Sequence, residues 1–495
     1  MESLFGQLDA WHLIFLILAL GLALAFEFVN GFHDTANAVA TVIYTHSLKP
    51  WVAVVWSGCW NLIGVLWSSG AVAFGVIALL PVELVMNVGS AAGFAMVFAL
   101  LISAIVWNLG TWWLGLPASS SHTLIGSIMG VGLMNAMMTS GSAASGVNWG
   151  KAREIGMSLL VSPLVGFLCA ALLLILLKML VKRPELYAAP DPKKAPPLWI
   201  RSILCITCTG VSFAHGSNDG QKGMGLVMLI LIGIVPSIYA LNLATDTPSI
   251  DQWIAQAKIA SALMDKNAGG KVLAEKEATA TLNAFLKNDG TFTDQVFPAL
   301  VEKNREISTL LDGHKSLKDL PDGQRTALRT ASYFTAESIG KLSKTKHMPD
   351  AETGKTLDAY KGHIEKVTKF IPFWVKFAVA LALGLGTMIG WKRIVVTVGE
   401  KIGKSHLTYA QGASAELVAM VTIGLADTYG LPVSTTHVLS SGVAGTMAAN
   451  RSGLQGKTLR NLLLAWVLTL PVCIFLGASF FAAGLLFVAR VLGLH

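Results

Sequence analysis

Charge is nearly confined to one block of this chain: 35 of its 66 Asp, Glu, Lys and Arg residues lie between Asp246 and Lys369. On either side run apolar stretches of about 20 residues, the length a helix needs to cross a hydrocarbon core. Such a core demands that every backbone polar group be satisfied internally, which nearly charge-free helices achieve. Only 13% of all residues are charged, against roughly 25% in soluble domains, and mean hydropathy is +0.60. This is the pattern of a polytopic membrane protein.

Spans are expected near 11–28, 51–80, 93–116, 154–180, 198–214, 223–245, 371–391, 407–428 and 460–492, the longest stretches having room for two crossings. Apolar pieces at 35–45, 119–135 and 434–449 are too short to cross alone. Interrupted segments in matching places point to a transporter's binding site. The expected fold is an all-α polytopic membrane protein, an inverted repeat of about 10–12 transmembrane helices with broken or re-entrant segments. Residues 1–180 form membrane repeat 1, 181–197 a basic connecting loop, and 198–245 the start of repeat 2. Residues 246–370 form a soluble helical insertion, and 371–495 complete repeat 2. The insertion's charges nearly cancel, and spacings such as Ile307, Leu310 and Leu311 predict amphipathic helices. A solvated spacer is the plain reading of it.

The net charge of +8 does not indicate nucleic acid. No basic-aromatic patch accompanies it, and Lys and Arg fall in short connections. Residues 1–150 hold one basic residue, Lys49, whereas Lys178, Lys182, Arg183, Lys193, Lys194 and Arg201 cluster at one connection. That bias predicts a cytoplasmic connection and an outside N-terminus. The N-terminus also lacks the basic start of a cleavable signal. Five cysteines lie in apolar sequence, and Cys205 and Cys208 read as small apolar side chains on one helix face.

The two halves share motifs in the same order. Leu116-Pro117-Ala118-Ser119-Ser120-Ser121-His122 is echoed by Leu431-Pro432-Val433-Ser434-Thr435-Thr436-His437. Upstream, Asn30-Gly31-Phe32-His33-Asp34-Thr35-Ala36-Asn37 pairs with His215-Gly216-Ser217-Asn218-Asp219-Gly220-Gln221-Lys222. Two matches in one order indicate duplication, and inversion is the relation expected of such repeats.

Each L-P-x-[S/T]₃-H run predicts a helix that restarts inside the membrane, because Pro ends the preceding segment and Ser or Thr caps the next. A helix start offers free N–H groups and a positive dipole end. Three adjacent hydroxyls add neutral donors, so two converging starts suit a tetrahedral oxyanion. Ser119, Ser120, Ser121, Ser434, Thr435 and Thr436 are therefore candidate substrate ligands, with Asp34, Asn37, Asn218 and Asp219. The plainer reading of such runs is capping or close helix packing, which the paired copies weaken.

Five carboxylates are embedded in apolar sequence: Glu27, Asp34, Asp219, Glu416 and Asp427. Each costs about 2.5–3.5 kcal/mol at a helix centre and is a functional candidate for that reason. Carboxylates beside an oxyanion make sense as proton carriers, cation ligands or orienters of hydroxyl donors. His33, His122, His215 and His437 all fall in the motifs, and histidine changes charge near neutral pH. Proton-coupling candidates are Glu27, His33, Asp34, Asp219, Lys222, Glu416 and Asp427. Lys222 aligns with Asn37, so its ammonium can stand where a bound cation sits in a related site. No catalytic residue or bound metal is expected. For Glu27, Glu416 and Asp427 an interfacial, solvated position is the plainer alternative.

At these residues the chain resembles the PiT family of inorganic phosphate transporters, and most closely its bacterial low-affinity, proton-coupled members. Gly31 through Thr41 and His215 through Gly223 look like the two family signatures. The two L-P-x-[S/T]₃-H runs match as well, as does Gly384-Leu385-Gly386-Thr387 leading to Gly399-Glu400-Lys401-Ile402-Gly403. The resemblance covers all but 246–370. It implies a fold of roughly twelve spans that holds phosphate between the signatures and the hydroxyl runs. It further implies a bacterial inner-membrane symporter with protons as coupling ion, no cofactor, and substrate entering as phosphate or as a neutral complex with a divalent metal such as Mg²⁺. Besides phosphate, the bilayer is the expected partner, and whether a second copy of the chain joins it is left open by the sequence. Sodium-coupled relatives carry G-A-N-D in the first signature; Gly31-Phe32-His33-Asp34 here, with Gln221-Lys222 in the second, fits protons better.

Three alternatives remain. A sulfate or other oxyanion permease would share the fold, although sulfate has no proton to offer the Asp34 and Asp219 carboxylates at neutral pH. A membrane phosphatase would need an asymmetric nucleophile and base, whereas the polar residues here are duplicated. A metal-cation carrier would leave the six hydroxyls unexplained.

Overall fold

A computed structural model describes residues 8–34, 36–80, 84–85, 88–141, 143–191, 193–287, 290–488 and 490. Every described element is a helix, apart from an isolated bridge between Gly403 and Leu454. The chain divides into two compact units: Ile17–Leu80, Ser90–Val227 and Pro372–His495 form one, and Met1–Leu16, Pro81–Gly89 and Met228–Ile371 the other.

Six described helical stretches are long and apolar enough to cross a membrane: Ala10–Tyr44, Pro50–Trp67, Ala91–Trp113, Trp149–Leu180, Leu198–Ile234 and Gly456–Phe487. The helices that bear on the site are α1 (Ala10–Asp34), α2 (Ala36–Tyr44), α3 (Pro50–Trp67), α4 (Ala71–Ile77), α5 (Ala91–Trp113), α6 (Ser120–Ser140), α7 (Trp149–Leu180) and α8 (Leu198–Ile234). After residues 246–370 come α9 (Phe373–Met388), α10 (Lys392–Glu400), α11 (Tyr409–Thr428), α12 (Thr435–Ala449) and α13 (Gly456–Phe487). The structure thus agrees with an all-α polytopic membrane protein.

One expectation fails locally. The stretches 198–214 and 223–245, expected as separate spans, are largely one helix of 37 residues, α8. No proline lies between Pro197 and Pro236 to block its hydrogen-bond ladder. Its glycines serve close packing instead: a Cβ on Gly225 would stand 2.7 Å from the Ala73 carbonyl oxygen. The second signature therefore sits in the middle of a helix, whereas the first sits where α1 ends. The stretch 51–80 divides into α3 and α4 through Gly70, whose φ of +89° favours glycine.

Small residues bring the membrane helices into backbone contact, as packing in lipid favours. A Cβ on Gly31 of α1 would lie 2.9 Å from the Thr387 backbone nitrogen of α9. Gly31→Ala is accordingly expected to destabilise the protein by ~1–3 kcal/mol, read as a lower melting temperature in detergent. Gly21→Ala, where a Cβ meets nothing within 4 Å, should leave it unchanged.

The two halves exchange partners. Helix α6 of the first packs on α13 of the second, and α12 of the second on α7 of the first. Trp466 of α13 donates its indole N–H to the Pro117 carbonyl at 3.1 Å; Ser158 of α7 donates to the Pro432 carbonyl at 3.2 Å. Equivalent prolines before equivalent helices are thus held by the opposite half.

The other unit contains helices Thr247–Ala268, Glu275–Leu286, Val296–Leu311, Asp322–Lys344 and Ala351–Thr368. Ile250, Trp253, Ala257, Ala260 and Met264 recur at helical spacing and are buried. Ile307 and Leu311 join this core and Leu310 is partly buried against it. At its centre Asn304 accepts from the Tyr360 hydroxyl at 2.5 Å and donates to the Ala257 carbonyl at 2.8 Å. The Thr353 backbone N–H, 2.7 Å from the Asp350 cap, holds that carboxyl below its usual range.

Candidate functional site

Each L-P-x-[S/T]₃-H run starts a helix. Ser119 caps α6 by accepting from the His122 backbone N–H at 3.2 Å, and Ser434 caps α12 by accepting from that of His437 at 3.2 Å. The starts converge: Ser121 Oγ donates to the Val433 carbonyl at 2.7 Å, and the His122 and His437 rings lie 4.7 Å apart. His437 also stacks on Trp466, with centroids 4.1 Å apart. Capping engages a lone pair of Ser119 and Ser434, so each hydroxyl can still donate its proton. Ser120, Ser121, Thr435 and Thr436 form the first turns, all buried.

Asp34, the last residue of α1, joins the two runs. Ser120 Oγ donates to one carboxylate oxygen at 3.1 Å, and Thr436 Oγ1 donates to the other. Ser120 is itself approached by Asn108 Nδ2 at 3.4 Å from α5. On α8, Asp219 accepts from Lys222 Nζ at 2.6 Å, and the same ammonium reaches Ser121 Oγ at 2.5 Å. Ser121 and Thr436 are the third hydroxyls of their runs. In one half the carboxylate touches its hydroxyl directly; in the other a lysine stands between them.

Two histidines turn a ring nitrogen toward Asp34. His33 Nε2 lies 3.1 Å from Thr111 Oγ1, whose proton is already donated to the Trp107 carbonyl at 2.9 Å. His33 Nε2 is therefore the donor, which leaves Nδ1 facing Asp34 at 3.6 Å. His215 Nδ1 lies 3.0 Å from Asn61 Oδ1, an oxygen identified by Asn61 Nδ2 donating to Thr387 Oγ1 at 2.9 Å. His215 Nε2 then faces Asp219 at 3.5 Å and Asp34 at 3.9 Å. A lone pair pointed at a carboxylate is repelled, so both nitrogens suit a proton or an interposed cation. Asp34, His215 and Asp219 each offer a ligand atom, all within 4.8 Å of one another, a set able to hold a cation.

The other expected residues lie around this cluster. Both ends of the Asn218 amide are engaged by backbone: Nδ2 donates to the Leu431 carbonyl at 3.1 Å, and Oδ1 accepts from the Val433 N–H at 3.5 Å. Asn218 thus positions the second run. Glu27 is fully buried, 3.5 Å from Asn30 Nδ2, and its carboxyl covers Gly223, next to Lys222. Glu416 stands apart, accepting from the hydroxyls of Thr41 and Thr207. Asp427 accepts from Ser217 Oγ at 2.6 Å and from Gln221 Nε2. Thr35 and the side chain of Asn37 lie outside the described residues.

Asn61, Asn108 and Thr111 were not singled out by the motifs, yet they fix the orientation of His215, Ser120 and His33. A search for neutral amides as well as carboxylates within apolar spans would have found Asn61 and Asn108, since each must find a partner there.

A family model described as "Phosphate transporter family" matches residues 30–477. The chain is 43% identical to the low-affinity inorganic phosphate transporter PitA of Escherichia coli (strain K12), over 98% of this chain and 100% of that protein. It is 42% identical to PitB of the same strain, over 97% and 99%. A probable low-affinity inorganic phosphate transporter of Bacillus subtilis is 29% identical over 96% and 99%. Among solved structures, one titled "The sodium-dependent phosphate transporter" superposes with a TM-score of 0.52 over 95% of this chain and 98% of that one. At 20% identity that likeness speaks for the fold.

Proposed function

We propose that this chain, which belongs to the phosphate transporter family, imports inorganic phosphate together with protons by alternating access across a bacterial inner membrane. The observation that carries the proton reading is the pair His33 and His215, each presenting a ring nitrogen to Asp34 while its other nitrogen is committed as a donor. Phosphate binds between the two helix starts, where neutral hydroxyl and backbone donors of both repeats converge. Substrate carrying a proton donates it to Asp34 or Asp219, an acceptor role that sulfate cannot use. The Asp34, His215 and Asp219 set favours phosphate arriving with a divalent cation such as Mg²⁺. Two inverted repeats rocking about this site alternate its exposure. Glu27 serves as a further proton store behind Lys222, while Glu416 and Asp427 tie helices together at its edges. Residues 246–370 serve as a solvated spacer.

The test is labelled phosphate uptake into proteoliposomes under an imposed pH gradient, with and without sodium, Mg²⁺ and excess sulfate. Proton-driven uptake indifferent to sodium and sulfate supports the reading, and stimulation by Mg²⁺ supports the metal complex. Block by sulfate would move the assignment to a broader oxyanion permease. Uptake without response to pH would overturn proton coupling.

The hydroxyls divide by role. Ser120→Ala or Thr436→Ala removes a donor to the buried Asp34 carboxylate, worth ~1.5–3 kcal/mol. Uptake is expected to fall about tenfold or more in each. Ser119→Ala instead removes a cap worth ~1 kcal/mol, so melting temperature should drop more clearly than its transport. Equal transport loss at Ser119 and Ser120 would argue that both hydroxyls hold substrate.

A further inference from the structure

Away from the central site, a pocket of about 600 Å³ opens between the end of α5 and the start of α10. Trp112, Trp113 and Trp391 line it together with Lys392, Arg393 and Lys401. The Arg393 guanidinium is fixed in place: Nη1 donates to the Trp113 carbonyl at 2.7 Å, and the group lies 5.1 Å from the Trp112 ring and 4.4 Å from the Trp113 ring. Trp112 is itself held by its indole N–H on the Gly390 carbonyl at 2.7 Å. None of the three cations pairs with a carboxylate among the described residues. Three uncompensated positive charges around a concave, indole-walled space form an anion site, and a guanidinium already immobilised loses little freedom on binding.

The surroundings identify the source of the anion. The mouth is apolar and open: Trp113 is 64% exposed and Leu114 70%. Indoles beside basic residues at helix ends mark the membrane interface. Lys178 Nζ contacts Asn450 and the Lys404 N–H donates to the Gly453 carbonyl, so stretches 178–183, 392–404 and 451–460 meet at one end of this unit. They carry ten Lys and Arg against one acid, Glu400. Such an end faces the cytoplasmic leaflet, whose anionic lipids are drawn to basic juxtamembrane segments.

We propose that this pocket binds the phosphate-bearing headgroup of an anionic lipid, with the acyl chains leaving over Trp113 and Leu114. Free phosphate shares the chemistry of the headgroup but has no use for the exposed apolar rim. The proposal rests on the membrane reading and not on which ion is transported.

The full chain in detergent is titrated with phosphatidylglycerol and with phosphatidylcholine of the same acyl chains. Retention is read by native mass spectrometry and stabilisation by melting temperature. Phosphatidylglycerol is expected to be retained and to raise the melting temperature, and phosphatidylcholine to do neither. The combined variant Lys392→Gln, Arg393→Gln, Lys401→Gln should weaken retention by on the order of 100-fold, each basic residue contributing roughly fivefold. Lys344→Gln, at the end of the helix Asp322–Lys344 and outside this basic end, should leave it unchanged. If the combined variant does not fold, Lys401→Gln alone, whose ammonium makes no hydrogen bond within the described residues, should show the roughly fivefold loss. Equal retention of both lipids, or retention of phosphatidylglycerol by a folded variant, would overturn the proposal. Displacement of phosphatidylglycerol by millimolar inorganic phosphate would also overturn it, and would assign the pocket to the free anion.

Discussion

Asp34→Asn is expected to reduce phosphate uptake at least ~100-fold while the protein still inserts and folds. Two hydroxyls, Ser120 from one repeat and Thr436 from the other, donate to the Asp34 carboxylate. Each bond to a buried charge is worth ~1.5–3 kcal/mol. An asparagine amide can accept only one of them, and its NH₂ would face the other donor. The change also removes the negative charge toward which His33 Nδ1 and His215 Nε2 point. Gradient-driven uptake and phosphate exchange at equal pH should be measured on the same preparation. If exchange survives while uptake is lost, Asp34 couples protons; if both are lost, it also shapes the phosphate site. Uptake within about twofold of the wild type, a difference smaller than a single neutral hydrogen bond, would dispose of a site shared by the two repeats.

What was legible in the sequence was whatever follows from composition and short-range chemistry. A charge-poor chain of long apolar stretches must be a membrane bundle, and Pro before Ser-Ser-Ser or Ser-Thr-Thr must start a helix. The caps at Ser119 and Ser434 follow from those residues alone. Less legible was continuity. Helix α8 passes straight through His215–Lys222 because polar residues do not break a helix when neighbouring helices supply partners, and Gly216 and Gly220 fit against α3. Least legible were long-range partners. Whether Glu416 joins the central cluster or meets Thr41 and Thr207 depends on contacts 375 and 209 residues apart in sequence. The eleven-residue spacing of Glu416 and Asp427 puts them on one face of a helix, but it carries no information about what that face meets.

The same limit applies at Lys222, where the duplication is unequal, and there the second large effect is expected. Lys222 is 1% exposed, and its ammonium sits between Asp219 and Ser121. In the other half, Asp34 receives Thr436 directly. Lys222→Asn gives the second signature the residue that the first carries at the aligned position, Asn37. It also leaves Asp219 as a buried carboxylate without its cation, a loss of ~3–5 kcal/mol when one partner of such a pair is removed. Proton-driven uptake should therefore fall by at least ~100-fold. If the ammonium acts as a tethered cation, a small monovalent ion can take its place, and the residual uptake and the melting temperature of this variant should both rise with added sodium. Lys222→Arg should not restore transport, because a planar fork cannot reproduce the compact charge held between Asp219 and Ser121. A variant with full uptake and no new ion dependence would show that the ammonium does not stand in for a cation. A variant that loses uptake with no response to sodium would leave Lys222 as a partner of Asp219 in stability alone. The melting curve, taken with and without the ion, separates that outcome from a tethered cation on the same sample.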